Sequence, residues 1–434
     1  MASKGLVIAA PASGAGKTLI TLGLLRALTR AGKSVASAKA GPDYIDPRFH
    51  EAASGRPCFN LDGWAMRDEY VSGLVSRYTQ TSELVLIEGV MGLFDGAAGG
   101  GGSTADLAVL LDLPVVLVVD AKSQGQSAAA LVKGFAEFKD DCRIAGVIFN
   151  RVASAGHAVI VTDAVKPLGI PVLGTVSETR DMIVPSRHLG LVQASEHDAL
   201  DVFLDQAADL LGEGIDLDAL AGLARPFAQS DEAAKSLPPL GQRIAIAKDE
   251  AFGFAYPHLL TGWQEAGAQI MEFSPLGNEA PDKSADAVYL PGGYPELHAG
   301  TLAANTLFLD GLKAAAAQGT LIYGECGGFM TLGDYLIDAD GQRHQMAGLL
   351  PLGTSFASRG LKLGYRRLGH KGALPWPQDL RGHEFHYSTL HWQGEADVLF
   401  EAEDSRGEDL GKIGLRRGNV MGSYAHIIDM EGSP

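Results

Sequence analysis

Short apolar, β-branched runs that alternate with longer helix-compatible stretches restrict this 434-residue chain more than any single motif does. In a first series they are "LVIAA" (6–10), "SVASAKA" (34–40), "LVLIEG" (84–89), "VVLVVDA" (115–121), "AGVIFNRV" (145–152) and "PVLGTV" (171–176). Strands that are apolar along their whole length are buried on both faces, as parallel strands are when crossover helices cover them. A second series runs through "RIAIAKD" (243–249), "AQIMEFSPL" (268–276), "AVYLPGG" (287–293) and "LIYGECGG" (321–328). Between the two, "GEGIDLDALAGLARPFAQSDEAAKSLPPLGQ" mixes acidic residues, Pro-Pro and Gly without a sustained apolar face. It reads as a linker. The expected organisation is an α/β chain of two domains, residues 1–211 and 242–434, joined by a linker over 212–241; the length suits two cores better than one. "GAAGGGGS" (96–103) is expected as a mobile loop.

Composition narrows the function. A formal charge of −17 argues against a dedicated nucleic-acid binder, which needs a basic face to displace phosphate counterions. Cys58, Cys142 and Cys326 have neither metal-ligand spacing nor the density of a disulfide scaffold, and suit a reducing compartment such as the cytoplasm. The apolar run before the first glycine loop is too short for a signal sequence or a membrane span, so the chain reads as soluble.

"APASGAGKT" (10–18) is nearly a phosphate-binding loop, with Pro11 standing where the first glycine of G-x-x-x-x-G-K-[ST] belongs. It follows the run "LVIAA" and opens the helical "LITLGLLRALTRAG", the order strand, glycine loop, helix that cradles phosphates. Gly14 and Gly16 let backbone N–H groups approach phosphate oxygens. Lys17 supplies charge at the β and γ phosphates, and Thr18 a hydroxyl for Mg²⁺. Magnesium also takes one or two carboxylates. Glu88, at the C-terminal end of a buried run, lies where open α/β sheets bind ligands; Asp43 and Asp46 in "AGPDYIDP" are either further ligands or turn residues. Lys39 is either a solvated lysine or a charge near phosphates and substrate. Asn150 in "FNRV" either reads adenine or caps the turn after its strand.

A second chemistry sits in "YGECGGFM". Gly324-Glu325-Cys326-Gly327-Gly328 follows an apolar strand and has the G-x-C-x-G form of a nucleophile elbow, in which flanking glycines permit a strained turn that presents the thiol. The following helix N-terminus is expected to favour the thiolate. Gly292 and Gly293 in "YLPGGYPELHAG" suit backbone N–H donation to a tetrahedral oxyanion, a contribution of about 3 kcal/mol per donor. His426 in "NVMGSYAHIID" is the expected base, with His383, His386 and His391 as competitors. "RGHEFHYS" groups two histidines around Glu384, but no complete metal-ligand set is apparent.

The phosphate loop, "AKAGPDYIDPRFHEAASGRPCFNLD", "IEGVMGLFDG", "YLPGGYPELHA", "YGECGGFM", "LKLGYR", "GHEFHYS" and "GSYAHI" follow one another as in the cobyrinic acid a,c-diamide synthases, including the enzymes acting on hydrogenobyrinic acid. The chain resembles that family over nearly its whole length. The resemblance implies a dethiobiotin-synthetase-like P-loop domain with a mostly parallel sheet, followed by a class I, triad-type glutamine amidotransferase α/β domain. It implies ATP and Mg²⁺ as cofactors, with Gly14, Gly16, Lys17, Thr18 and Asn150 on the nucleotide and Thr18, Asp43 and Glu88 around the metal. By the same resemblance Lys39, Asp43, Tyr44, Asp46 and Asp95 lie near substrate or γ-phosphate, and Cys326 and His426 release ammonia from glutamine. The implied partners are glutamine and a corrinoid or hydrogenocorrinoid acid, with no nucleic acid and no membrane, and a homodimer stays open. One departure concerns the acidic residue that class I amidotransferases often carry two positions after the histidine. Here it is Ile428, which leaves a Cys-His dyad or an imidazole oriented by another group, Asp429 or Glu384 being candidates.

Two rival readings remain at this level. A partitioning-type switch ATPase would carry a signature lysine five residues before the loop lysine, where Ala12 stands, and would leave the second half of the chain without a purpose. Another tetrapyrrole acid, such as nickel sirohydrochlorin or the precursor of cobyric acid, would keep the chemistry and change the ligand.

Overall fold

In the computed structural model, which describes residues 3–178, 199–227 and 235–432, the chain divides into two units. The first comprises residues 1–64, 68–96 and 101–234, and the second residues 65–67, 97–100 and 235–434.

The first unit holds β1 (Lys4–Ala9), β2 (Val35–Ala40), β3 (Cys58–Leu61), β4 (Leu84–Glu88), β5 (Val115–Asp120), β6 (Ile144–Val152) and β7 (Val172–Ser177). They form a parallel sheet in the order β3-β2-β4-β1-β5-β6-β7, as the apolar runs predict. The short β3, in "RPCFNLD", carries too little apolar sequence to be read in advance. Helices α1 (Lys17–Arg30), α2 (Asp46–Ser54), α3 (Asp68–Tyr78), α4 (Thr104–Leu110), α5 (Ser127–Glu137) and α6 (Ala155–Val165) make the crossovers. Chain order departs from spatial order on either side of β1, so the C-terminal ends of β1, β2 and β4 open onto one crevice, where such sheets bind ligands.

The expected linker is partly structured. α7 (Leu200–Gly214), α8 (Leu217–Leu223) and β8 (Arg225–Pro226) all belong to the first unit, β8 pairing antiparallel with β1, and the division falls after residue 234. α7, most of which precedes the expected linker, is an amphipathic helix. Asp205 and Asp209 of α7 pair with Arg26 and Arg30 of α1, while Phe203, Leu204, Ala207, Ala208 and Leu211 are buried. Asp216 caps α8 by accepting from Ala219 N at 2.9 Å. Residues 228–234 of the expected linker lie outside the described residues. In the glycine run 96–103, Gly100, Gly101 and Gly102 have positive φ; the first two are exposed, whereas a Cβ on Gly102 would lie 2.6 Å from Trp64 Cβ.

The second unit contains β9 (Arg243–Ala247), β10 (Gln269–Phe273), β11 (Ala287–Leu290), β12 (Leu321–Glu325), β13 (Tyr335–Ile337), β14 (Arg343–Gln345), β15 (Leu352–Ser355), β16 (Lys362–Gly369), β17 (Asp379–His386), β18 (Thr389–Gln393), β19 (Asp397–Asp404), β20 (Asp409–Arg417), β21 (Val420–Ser423) and β22 (Ala425–Met430). Its main sheet runs β10-β9-β11-β12-β21-β20-β19-β16-β17-β22, parallel through β21 and antiparallel beyond. A smaller sheet has the order β14-β13-β15-β18. Helices α9 (Pro257–Glu265), α10 (Ala299–Ala304), α11 (Thr306–Ala317) and α12 (Gly327–Leu332) complete it. Among the described residues no helix is long and apolar enough to cross a membrane.

α12 presses so closely on β11 that only glycine fits at the contact. A Cβ on Gly328 would overlap Leu290 O. Gly328→Ala is therefore expected to destabilise the second unit by about 1–3 kcal/mol, the usual range for overpacking. Urea unfolding followed by the near-ultraviolet signal of Trp263 and Trp376 would measure it.

Candidate functional sites

The glycine loop connects β1 to α1, and its positive-φ residues are Gly14 (φ 80) and Gly16 (φ 91). Position 11 has no such φ, so proline replaces the missing glycine without backbone strain. Gly16 is fixed by a second constraint, because a Cβ there would collide with Asn150 Nδ2. Lys17 opens α1 nearly buried and donates to Met91 O at 2.6 Å. Its pKa lies below the ordinary lysine value because of burial first and Lys39 second.

The strand ends bring a charge cluster together beside this loop. Glu88, wholly buried at the end of β4, accepts from Thr18 Oγ1 at 2.7 Å and from Lys39 Nζ at 2.9 Å. Its other oxygen faces His50 Nε2 at 2.6 Å, and His50 Nδ1 stands 3.5 Å from Cys58 Sγ. Lys39 also donates to Asp46 Oδ2 at 2.6 Å, and Thr18 Oγ1 lies 3.4 Å from the same oxygen. Burial alone would neutralise these groups. Burial works against the Lys39 charge, but Asp46, Glu88 and Asp43 outweigh it and hold the ammonium well above its usual pKa. Burial likewise opposes ionisation of Glu88, and Lys39 and His50 overcome it. Asp46 is pushed up to about 6 by burial and by Asp43.

Asp43 Oδ1 accepts from Ile45 N at 2.8 Å and Asp46 N at 3.1 Å, so one of its oxygens ties down the start of α2. Asp46 Oδ2 is the carboxylate oxygen of this segment that hydrogen-bonds Lys39 and lies by Thr18, while Asp43, expected in the metal shell, acts on Lys39 through its charge. Tyr44 lies in the turn between them. Asp95 Oδ2 accepts from Gly92 N at 2.9 Å, in the turn that also supplies Met91 O to Lys17. Asn150 is engaged with the protein itself: Nδ2 donates to Ala15 O at 2.9 Å and Oδ1 accepts from Arg151 N at 2.9 Å. Arg151, at φ 56, ties Asp120 to the same loop by donating to Gly14 O. Sequence reading missed Arg151 and His50. The only available signals were an Arg after Asn150 and a His inside the "GPDYIDPRFH" motif, and neither indicates what it touches.

In the second unit Cys326 has φ 46 and ψ −102, between β12 and α12, the strained turn expected of a nucleophile elbow. Its N–H donates to Ser423 O at 2.8 Å. The expected thiolate is not the resting form: burial pushes the thiol well up, Glu296 adds to this, and the hydrogen bond from Gly327 N–H only partly opposes it. A six-residue helix supplies too little dipole to compensate. His426 is buried and pulled down to about 3, by burial first and then by His383 and His386. Cysteine and histidine therefore rest as thiol and neutral imidazole at pH 7.

Gly292 brings the two together. A Cβ built on it would lie 3.3 Å from Cys326 Cβ, 2.9 Å from His426 Nε2, and inside His426 Cε1. Gly293 N lies 3.0 Å from where a Cβ on Gly327 would stand, so this amide reaches the elbow.

The competing histidines are otherwise engaged. His386 Nε2 faces Glu384 Oε1 at 2.8 Å, His391 Nδ1 lies 2.8 Å from Tyr335 OH, and His383 lies across from His426 in the β17–β22 register. Both expected orienters of the imidazole have arginine partners, and Glu384 still acts on His426 through its charge. Asp429 is held by Arg67 (Nε at 2.9 Å, N at 3.1 Å), and Glu384 by Arg366 Nε at 2.7 Å. Glu325, the residue before the nucleophile, stands 3.8 Å from His426 Nδ1 instead.

Residues 6–192 match the CobQ/CobB/MinD/ParA nucleotide binding domain, and residues 243–433 the CobB/CobQ-like glutamine amidotransferase domain. A nucleotide site and a cysteine amidotransferase site in one chain define an ATP-dependent enzyme that takes nitrogen from glutamine to form amides. The chain is 56% identical over 432 residues to the hydrogenobyrinate a,c-diamide synthase of Brucella abortus biovar 1 (strain 9-941), with 99% of each chain covered. It is 53% identical over 431 residues to that of a Sinorhizobium species and 48% identical over 440 residues to that of Mesorhizobium japonicum, again covering 99% of each. It belongs to the hydrogenobyrinate a,c-diamide synthase family.

Lys39 holds the buried Glu88 and the half-buried Asp46, so Lys39→Met is expected to cost roughly 3–5 kcal/mol of stability at pH 7, the range for removing one partner of a buried pair. The loss should be smaller at pH 5. The folded-state pKa of Asp46, about 6, lies above the ordinary carboxyl value, so the folded form gains a proton as pH falls through 6 and loses one unpaired charge. Urea midpoints at the two pH values would show the difference.

Proposed function

We propose that the chain amidates the a and c carboxylates of hydrogenobyrinic or cobyrinic acid, using ATP, Mg²⁺ and glutamine, in the cytoplasm. The observation that carries the substrate is the near-complete alignment with relatives named for hydrogenobyrinate. The chemistry rests on the two sites in turn.

In the glutaminase half-reaction Cys326 Sγ attacks the amide carbon of glutamine. The S–C bond forms while the carbonyl π electrons move to oxygen, beside the Gly292–Gly293 backbone. The thiol proton goes to His426, which returns it to the departing nitrogen. Ammonia leaves, and water hydrolyses the thioester to glutamate. The neutral imidazole fits this reading, because only that form can accept the thiol proton.

In the synthetase half-reaction a substrate carboxylate oxygen attacks the γ-phosphorus of ATP, ADP departs, and ammonia then displaces phosphate from the carboxyl phosphate. The backbone of Gly14 and Gly16 would cradle phosphates, with Lys17 supplying charge. Asn150 would meet the nucleotide through its position against the loop, and Lys39, Asp43, Tyr44, Asp46 and Asp95 would face substrate or γ-phosphate.

Thr18, Glu88 and Asp46 offer hard oxygen donors beside the loop, a set that fits Mg²⁺. Among the described residues no three or more His, Cys, Asp or Glu side chains are grouped to hold a metal. A cation carried on nucleotide phosphates needs only one or two protein carboxylates. Bound there, it would supply charge neutralisation to the transferring phosphoryl group. Asp43 would then act through the turn that carries Asp46.

Mass spectrometry of purified protein with ATP, Mg²⁺, glutamine and either acid should show two carboxyl-to-amide conversions. Glutamine hydrolysis without conversion of either acid would keep the architecture and exclude these substrates. Cys326→Ser should abolish glutamine-driven synthesis and retain synthesis from added ammonia, whereas Glu88→Gln should depress both by at least tenfold. Ammonia-driven turnover unaffected by Glu88→Gln would remove the glutamate from the phosphoryl-transfer step.

A further inference from the structure

The family reading leaves His426 without the acidic neighbour that class I amidotransferases often place two residues on, since that position is Ile428. The fold supplies a carboxylate from a different direction. Glu325 ends β12, immediately before the nucleophile, and is 1% exposed. Its Oε1 accepts from Ile427 N at 3.0 Å, the backbone amide next to His426, and its Oε2 accepts from Tyr289 OH at 2.7 Å. The same Oε2 lies 3.8 Å from His426 Nδ1. The opposite edge of the ring, Cε1 and Nε2, faces Gly292 and Cys326. Thiol side, imidazole and carboxylate therefore follow one another in the order of a catalytic triad, with the carboxylate on β12 rather than on the histidine's own strand.

We propose that Glu325 is the positioning residue of the glutaminase site, holding His426 with Nε2 toward Cys326 and supporting its positive charge when it takes the thiol proton. The proposal rests on the assignment of Cys326 and His426 as the glutamine-hydrolysing pair.

Geometry makes the glutamate suited to this and costly for any other purpose. A buried carboxyl is expensive unless something needs it, and two of its partners, Ile427 N–H and Tyr289 OH, fix its plane on the histidine side. The 3.8 Å separation exceeds a hydrogen bond, and catalytic contacts often tighten only when substrate binds. Burial raises the Glu325 carboxyl to about 7, with the Ile427 and Tyr289 hydrogen bonds opposing. The other titratable groups facing the pair are Tyr289, Tyr323, Cys326, His383, Glu384 and His386. As pH rises through about 7 Glu325 becomes a carboxylate, the form that stabilises an imidazolium, so glutaminase turnover should rise there.

The test compares Glu325→Gln with the unaltered chain in glutamine hydrolysis and in ammonia-driven synthesis. Expected are a glutaminase kcat at least tenfold lower, a glutamine KM changed less than twofold, loss of the rise near pH 7, and unchanged ammonia-driven synthesis. A glutaminase kcat and pH profile like those of the unaltered chain would overturn the proposal. If ammonia-driven synthesis falls as well, Tyr289→Phe decides, because it frees the histidine-facing oxygen and keeps the carboxyl. A glutaminase kcat lowered two- to threefold with a displaced pH profile supports the role of Glu325, and no change in either excludes it. Cys326→Ser run alongside keeps the two claims apart. Its glutaminase activity must vanish, and activity persisting there would refute the Cys326 assignment and leave Glu325 with no histidine-cysteine pair to serve.

Discussion

A carboxylate with no solvent exposure needs charge partners within reach, and the first unit is organised around meeting that need for Glu88. Strand β4 sets it at the C-terminal edge of the sheet. β2 brings Lys39 alongside it, register by register, and α2 turns His50 toward its second oxygen. α1 adds the Thr18 hydroxyl. Three elements, β2, α2 and α1, are thus tied to one side chain of a fourth. Loss of the lysine would leave two carboxylates facing one another in a poorly solvated space, which explains why a strand interior tolerates so polar a residue.

The second unit solves a different electrostatic problem with the same means. Cys326 and His426 are both buried, and burial favours their neutral forms. The pair itself therefore rests uncharged. Glycine at position 292 matters because it lets backbone, thiol and imidazole approach more closely than any side chain would permit. The strain at Cys326 belongs to the same arrangement, since a positive φ turns the thiol out of the strand direction.

Much of this was legible in the sequence, for identifiable reasons. Parallel strands announce themselves because burial on both faces leaves them apolar throughout, and the glycine loop and elbow because few residues tolerate their backbone angles. Lys17, Thr18, Lys39 and Glu88 meet as the strand ends suggest, and Cys326 and His426 face a common glycine. What remained hidden depends on contacts that sequence spacing does not encode. Asp43 and Asp46 are indistinguishable as letters, yet one oxygen of Asp43 is occupied by the backbone of its own turn while Asp46 reaches Lys39. Glu325 filled the variable place in a G-x-C-x-G pattern, where a spacer and a partner look alike. Helix α8 (Leu217–Leu223) lies inside the stretch read as a linker, because seven residues with one buried leucine give no sustained apolar face to read.

Lys39 also determines what the first unit requires in order to exist without ligand. Many sites that converge carboxylates on a metal lose shape when the ion departs, because the anions then repel. Here a covalently attached ammonium already sits between Glu88 and Asp46. The opposed carboxylates are therefore balanced by the chain itself. A divalent ion placed at these oxygens, as proposed, would share them with the lysine and would be held largely by the phosphates it arrives with.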